Sequence, residues 1–127
     1  MTIPLQTSPL AAFVARLKAG RLAYQYDPRE GRAVFFPRVI APGHGGPLEW
    51  RDSAGLGTVY STTTVHPRHG APYNVALIDM DEGFRLMSCV LGLPPGEVRI
   101  GQRVRVEVEE VDGDDPRPVF RPLESGA

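Results

Sequence analysis

Polar and apolar residues alternate along the second half of this chain, and the alternation breaks at short intervals. Between residues 56 and 90 three runs rich in Val, Thr, Tyr, Ile and Phe follow one another, at 58–66, 73–80 and 84–90. His66-Pro67-Arg68-His69-Gly70 and Asp81-Glu82-Gly83 separate them. β-Branched and aromatic side chains suit a pleated, half-buried surface, and Pro, Gly and Asp interrupt one. The pattern predicts three strands, the last two forming a hairpin across Asp81-Glu82-Gly83. Residues 104–111 alternate Val with Arg or Glu, the period of a strand with one wet face. A turn at Asp112-Gly113 then leads to a fifth short strand at 118–121. Residues 93–101, with Pro94-Pro95-Gly96, read as a connection holding one helical turn. Gly55 and Gly57, at the mouth of the long first strand, predict a bulge or a sharp coil.

Five strands with a connection between the third and the fourth is the topology of the oligonucleotide/oligosaccharide-binding (OB) fold. The expected fold is therefore mainly β, with a five-stranded OB-fold barrel over residues 48–122 and a frayed tail over 123–127. Ahead of the barrel, Ser8-Pro9 is a good helix start, Ser as N-cap and Pro as first helical residue. Leu10, Phe13, Val14 and Leu17 then share one face, and Gly20 suits the stop. Residues 1–20 are read as this helix, packed on the barrel. Residues 21–47 are read as an extended arm. Its aromatics Tyr24, Tyr26, Phe35 and Phe36 are scattered among turn residues, with one short strand from residue 32 to 36. An arm without a core of its own must lie on something, either the barrel or a partner.

Charge changes this picture by exclusion. The chain has 14 basic and 15 acidic residues, a net charge of -1. Nucleic-acid binders usually carry a basic excess, so the balance argues against one. One cysteine in 127 residues cannot form an internal disulfide, which points to a reducing, cytoplasmic setting. No apolar run approaches the roughly 20 residues that span a bilayer, and no signal peptide is evident.

Candidate chemistry is sparse. His66 and His69 flank Pro67-Arg68, but no Asp, Glu or Cys in that loop completes a metal site, so His66, Arg68 and His69 are read as loop residues able to contact a ligand. Arg99, Arg103 and Arg105 form a modest basic group, enough to meet the phosphates of a CoA moiety and thin for a nucleic-acid backbone. Trp50, Tyr60 and Tyr73 are available either to stack on bases or to fill the core. Asp79, Asp81 and Glu82 read as a solvated turn. Cys89 lies inside a strand with no base or cation to activate it, which predicts a packed thiol. Gly43-His44-Gly45-Gly46 lacks the Lys-Ser/Thr of a phosphate-binding loop.

The order of segments resembles the thiolase-associated OB-fold proteins, whose members carry a rubredoxin-like zinc ribbon before the barrel. The resemblance rests on the helix from Phe13 to Leu22, Phe36-Pro37-Arg38, Leu48-Glu49-Trp50 and Gly55-Leu56-Gly57-Thr58-Val59-Tyr60-Ser61. It continues through Pro72-Tyr73-Asn74-Val75-Ala76-Leu77, Asp81-Glu82-Gly83-Phe84-Arg85-Leu86, Ile100-Gly101-Gln102-Arg103-Val104 and Pro118-Val119-Phe120-Arg121-Pro122. The family's two Cys-x-x-Cys pairs are absent. Their positions read Asp27, Glu30, Ala41 and His44, a poor set for tetrahedral zinc. A degenerate, metal-free ribbon is expected, the alternative being an oxygen-rich site made by Asp27, Glu30 and His44.

The resemblance implies a non-catalytic accessory subunit. Such a protein binds a thiolase-like or hydratase-like acyl-CoA enzyme and supports its acyl-CoA site, with no cofactor of its own. Arg99, Arg103, His66, Arg68 and His69 are then the candidate CoA contacts, and Phe35, Phe36 and Arg38 the candidate partner anchors. Self-association fits this reading too. The alternative is an OB-fold protein that binds single-stranded nucleic acid.

Overall fold

The computed structural model of the chain describes residues 8–35, 37–38 and 41–123. Helix α1 (Pro9–Lys18) is followed by β1 (Ala23–Asp27), β2 (Arg32–Val34), β3 (Glu49–Asp52), β4 (Leu56–Val65), β5 (Tyr73–Met80), β6 (Arg85–Ser88), β7 (Arg103–Glu109) and β8 (Arg117–Pro122). These make a three-stranded antiparallel sheet, order β2-β1-β3, and a five-stranded sheet, order β6-β5-β4-β7-β8. The chain divides into two compact units, one built on each sheet.

In the first unit, Ser8 caps α1 by accepting a hydrogen bond from the Ala11 amide, and Pro9 opens the first turn. The helix ends where Gly20 turns left-handed (φ +82°), with Gly20 N–H donating to Leu17 O and Arg21 N–H to Arg16 O. Phe13 and Leu17 are buried, while Leu10, expected on the same face, is 60% exposed. The helix packs against β1, and Phe13 meets Phe35 edge-on at 5.5 Å. The helix thus packs on the sheet of residues 21–52, where the sequence reading had it on the barrel. That segment is no coreless arm. Leu22, Ala23, Tyr24, Val34 and Ala41 are buried in it, and β3, expected at the start of the barrel, pairs with β1. Four of the five residues of β1 are buried, so it has no wet face to reveal it as a period-two pattern.

In the second unit the five expected strands are present. Tyr73–Met80 coincides with its expected bounds, and Pro95–Glu97 forms the single 3-10 turn of the connection. The glycine signal is also realised. A register shift lies between Val59 and Ser61, leaving Tyr60 unpaired in the bulge, and Gly55 is left-handed (φ +83°). The sheet edges meet at one parallel bridge, Val90 to Phe120, where Leu91 N–H donates to Phe120 O and Phe120 N–H to Cys89 O. This is a partly open OB barrel, closed by a short staple and not by a full ladder. Val59, Ile78, Val90, Val104, Val119 and Phe120 fill its core. Buried Asn74 ties its strands together, donating to Thr62 Oγ1 at 2.8 Å and accepting from the Val90 amide at 2.9 Å.

Candidate functional site

The outward face of the five-stranded sheet is built by strand register. Residues alternate sides along a strand, so each cross-strand pair fixes two outward side chains at once. Arg103, Thr58, Asp79 and Arg85 lie opposite one another across β7, β4, β5 and β6. Ser61, Leu77 and Met87 form the next row, Thr63 pairs with Val75, and Val65 with Tyr73. A polar row therefore borders an apolar field. Met87 is 71% exposed, Tyr73 52% and Tyr60 50%.

The polar row is internally paired. Arg85 makes a two-pronged contact to Asp79, and its guanidinium lies 3.5 Å from the Tyr60 ring centroid. The Asp79 hydrogen bond holds the Arg85 pKa above its ordinary value. Arg103 donates to both oxygens of Asp81, at 2.7 and 2.8 Å, and to Thr58 Oγ1 at 3.0 Å. The Arg103 hydrogen bonds hold the Asp81 carboxyl below the ordinary 3.8. Asp79 and Asp81 are thus partners of arginines, where the sequence reading had a solvated turn.

The five candidate CoA contacts fall into two groups. Arg99 and Arg103 lie near the start of β4, since Arg103 pairs with Thr58 and Gly101 N–H donates to Val59 O. His66, Arg68 and His69 are exposed in the loop beyond the other end of β4. The strand rises about 3.3 Å per residue, so the structure does not gather these five residues into one site. Arg103 is already engaged by Asp81. Arg99 and Arg105 are exposed and have no carboxylate partner among the described residues.

Of the expected partner anchors, Phe35 is half-buried against Phe13 and Arg38 is exposed; Phe36 lies outside the described residues. The backbone at Arg38 is held by the buried Gln25 side chain, whose Nε2 donates to Arg38 O at 2.7 Å. Met87 and Arg85 were not singled out from the sequence as surface residues of interest. A signal did exist: in β5 both alternating sets contain apolar residues, Ala76 and Ile78 inward, Val75 and Leu77 outward. Apolar residues on both faces of a strand are a signal that its second face also carries apolar surface.

Comparison with known proteins adds identity to this geometry. The family described as "ChsH2, C-terminal OB-fold domain" matches residues 50–109. A "Probable enoyl-CoA hydratase alpha subunit" of Thermomonospora curvata is 40% identical over 85 residues, which cover 62% of this chain and 27% of that protein. The chain thus spans about a quarter of that relative's length. A "DUF35 domain-containing scaffold protein" of Methanothermobacter thermautotrophicus is 32% identical over 92 residues, covering 65% of this chain and 69% of that one. Among solved structures, a chain of "Ltp2-ChsH2(DUF35) aldolase" superposes with a TM-score of 0.77 at 32% identity, over 88% of this chain and 92% of that chain. Among the described residues no helix is long and apolar enough to cross a membrane.

Proposed function

We propose, from the premise that this chain belongs to the DUF35 family of OB-fold proteins, that it is a non-catalytic accessory subunit of an acyl-CoA enzyme. The observation that carries this reading is its likeness, over 92% of that chain's length, to a chain of the "Ltp2-ChsH2(DUF35) aldolase". A relative named as a scaffold protein supports the same role. The partner is a thiolase-like or a hydratase-like acyl-CoA enzyme: one similar structure is named an aldolase, and two similar proteins are named hydratase alpha subunits.

The partner docks, in this reading, on the apolar field around Met87, Leu77 and Tyr73, with Tyr60 and Arg85 at its border. Aromatic, Met and Arg side chains are enriched where binding energy concentrates. Arg38 is the further anchor on the first unit. Phe35 serves its own unit through Phe13. Arg99 and Arg105 are the cations available to a CoA phosphate shared with the partner.

Co-expression with a thiolase-like subunit and, separately, with a hydratase-like one tests the pairing by co-purification. Met87→Asp is expected to leave the isolated chain as stable as the parent within about 0.5 kcal/mol, as an exposed substitution should. It should weaken the complex by roughly tenfold or more, by placing a charge in an apolar contact. Unchanged affinity in Met87→Asp would move the interface elsewhere, and Arg38→Ala then becomes the decisive variant.

The reacting groups belong to the partner in this account. The isolated chain is expected to show no turnover of acyl-CoA esters. Cys89 is half-buried, so Cys89→Ala should bring only a packing loss on the order of 1–3 kcal/mol. Turnover that vanishes in Cys89→Ala would reverse the assignment.

A further inference from the structure

The family resemblance implies zinc, and the residues at the ligand positions test whether this chain can hold it. Ala41 is buried and supplies no donor atom. Asp27 is buried completely, yet both its oxygens are occupied. Oδ1 accepts from the Arg29 and Glu30 amides at 3.0 and 3.2 Å, and Oδ2 meets His44 Nε2 at 2.8 Å. The other imidazole nitrogen, Nδ1, accepts from the Gly46 amide at 3.0 Å. Glu30 is exposed. A metal needs free lone pairs from a closed set of ligands, and the two best donors have already committed theirs. The set does not fit zinc.

The same contacts have a positive meaning. Residues 27–31 and 41–46 form two tight loops, each closed on itself. Gly31 N–H donates to Asp27 O, Gly45 N–H to Ala41 O, and Ala41 N–H to Gly46 O. The Asp27–His44 contact joins one loop to the other. Since Nδ1 accepts from the Gly46 amide, Nε2 carries the proton and donates it to the carboxylate. We infer that a buried Asp27–His44–Gly46 hydrogen-bond clasp cross-links these two loops in this chain, doing by side-chain bonding what a bound metal would otherwise do.

Two further observations agree. Burial by itself would raise the Asp27 pKa, but the bonds from His44, Glu30 and Arg29 hold it below the ordinary 3.8, so the acceptor is ionised. The clasp is also sterically built around Gly46. A Cβ there would stand 2.6 Å from His44 Cε1 and 2.7 Å from Nδ1, so any side chain at 46 would displace the ring.

The experiment uses the full chain. Elemental analysis is expected to find no stoichiometric zinc, and a chelator should leave the melting temperature unchanged. Asp27→Asn sets an amide NH₂ donor either against Nε2–H or against the Arg29 and Glu30 amides, and His44→Ala leaves a buried carboxylate oxygen without its partner. Each is expected to lower the melting temperature by about 5–10 °C. The double variant should be no worse than the poorer single, because both remove one interaction. Imidazole ¹⁵N shifts in the parent should report His44 protonated at Nε2. They provide a readout even if a variant fails to fold. One zinc per chain, a melting temperature that falls with chelator, additive losses in the double variant, or His44 protonated at Nδ1 alone would each overturn the clasp.

Discussion

Replacing Phe120 by Ala is expected to destabilise the five-stranded unit by about 3–5 kcal/mol, the usual cost of truncating a buried aromatic ring. The residue holds the barrel closed in two ways. Its ring is completely buried, in a core with Val90, Val104 and Val119. Its backbone makes the bridge between the sheet edges, donating to Cys89 O at 3.0 Å and accepting from the Leu91 amide at 2.7 Å, beside one side-chain bond from Ser88 Oγ to Pro118 O at 2.8 Å. A cavity beneath so short a staple cannot be filled by sliding a ladder, because among the described residues the edges share a single backbone bridge. Chemical denaturation followed by circular dichroism measures the loss. Hydrogen exchange adds location: the Leu91 and Phe120 amides should lose protection first. A loss below about 1 kcal/mol would mean that the ring's neighbours collapse into the space and that closure does not depend on it.

The second large effect is expected at Gly57. A Cβ on this residue would stand 2.8 Å from Ile78 Cγ2 and 2.9 Å from the Asp79 carbonyl oxygen. The side-chain clash could be relieved by a rotamer change, but the carbonyl belongs to the neighbouring strand and moves only if the strands part. Gly57→Val should therefore destabilise by roughly 3 kcal/mol, the upper end of ordinary overpacking. It has a functional consequence as well. Asp79, whose carbonyl is struck, holds Arg85 over Tyr60, so the border of the proposed docking face should shift with it. Partner affinity in Gly57→Val is expected to fall by more than the stability loss alone accounts for. A variant that melts like the parent would show that the β4–β5 pairing is more yielding at this point than the close approach implies.

The strands of the OB sheet were legible as runs of β-branched and aromatic residues broken by Pro, Gly and Asp, and β7 also by its one wet face. The Val/Arg/Glu alternation that marks β7 is a direct imprint of burial on one side. The glycines at 55 and 57 announced a coil, because only a residue without Cβ fits a left-handed turn or so close a neighbour. The same logic hid β1. Gln25 and Asp27 are buried there, and a polar residue in a buried strand reads as a loop residue until its partner is known. Those partners, the Arg38 backbone and His44, lie 13 and 17 residues away.

Local pattern by itself determined where this chain turns and which half is a small β-barrel; that Asp27, Glu30, Ala41 and His44 are a poor zinc-binding set is what the resemblance to the family implied. Turns and strands depend on residue type and short spacing, which are written along the chain. Tertiary structure decided the rest. Register sets Arg85 beside Asp79 and Met87 level with Leu77, and separates Arg103 from the His66 loop along β4; the bulge at Tyr60 brings its ring under Arg85. Tertiary structure also turned Asp27 and His44 from poor metal ligands into partners of each other. Pairings across tens of residues follow from which surfaces bury together, and no window short enough to read as a pattern contains them.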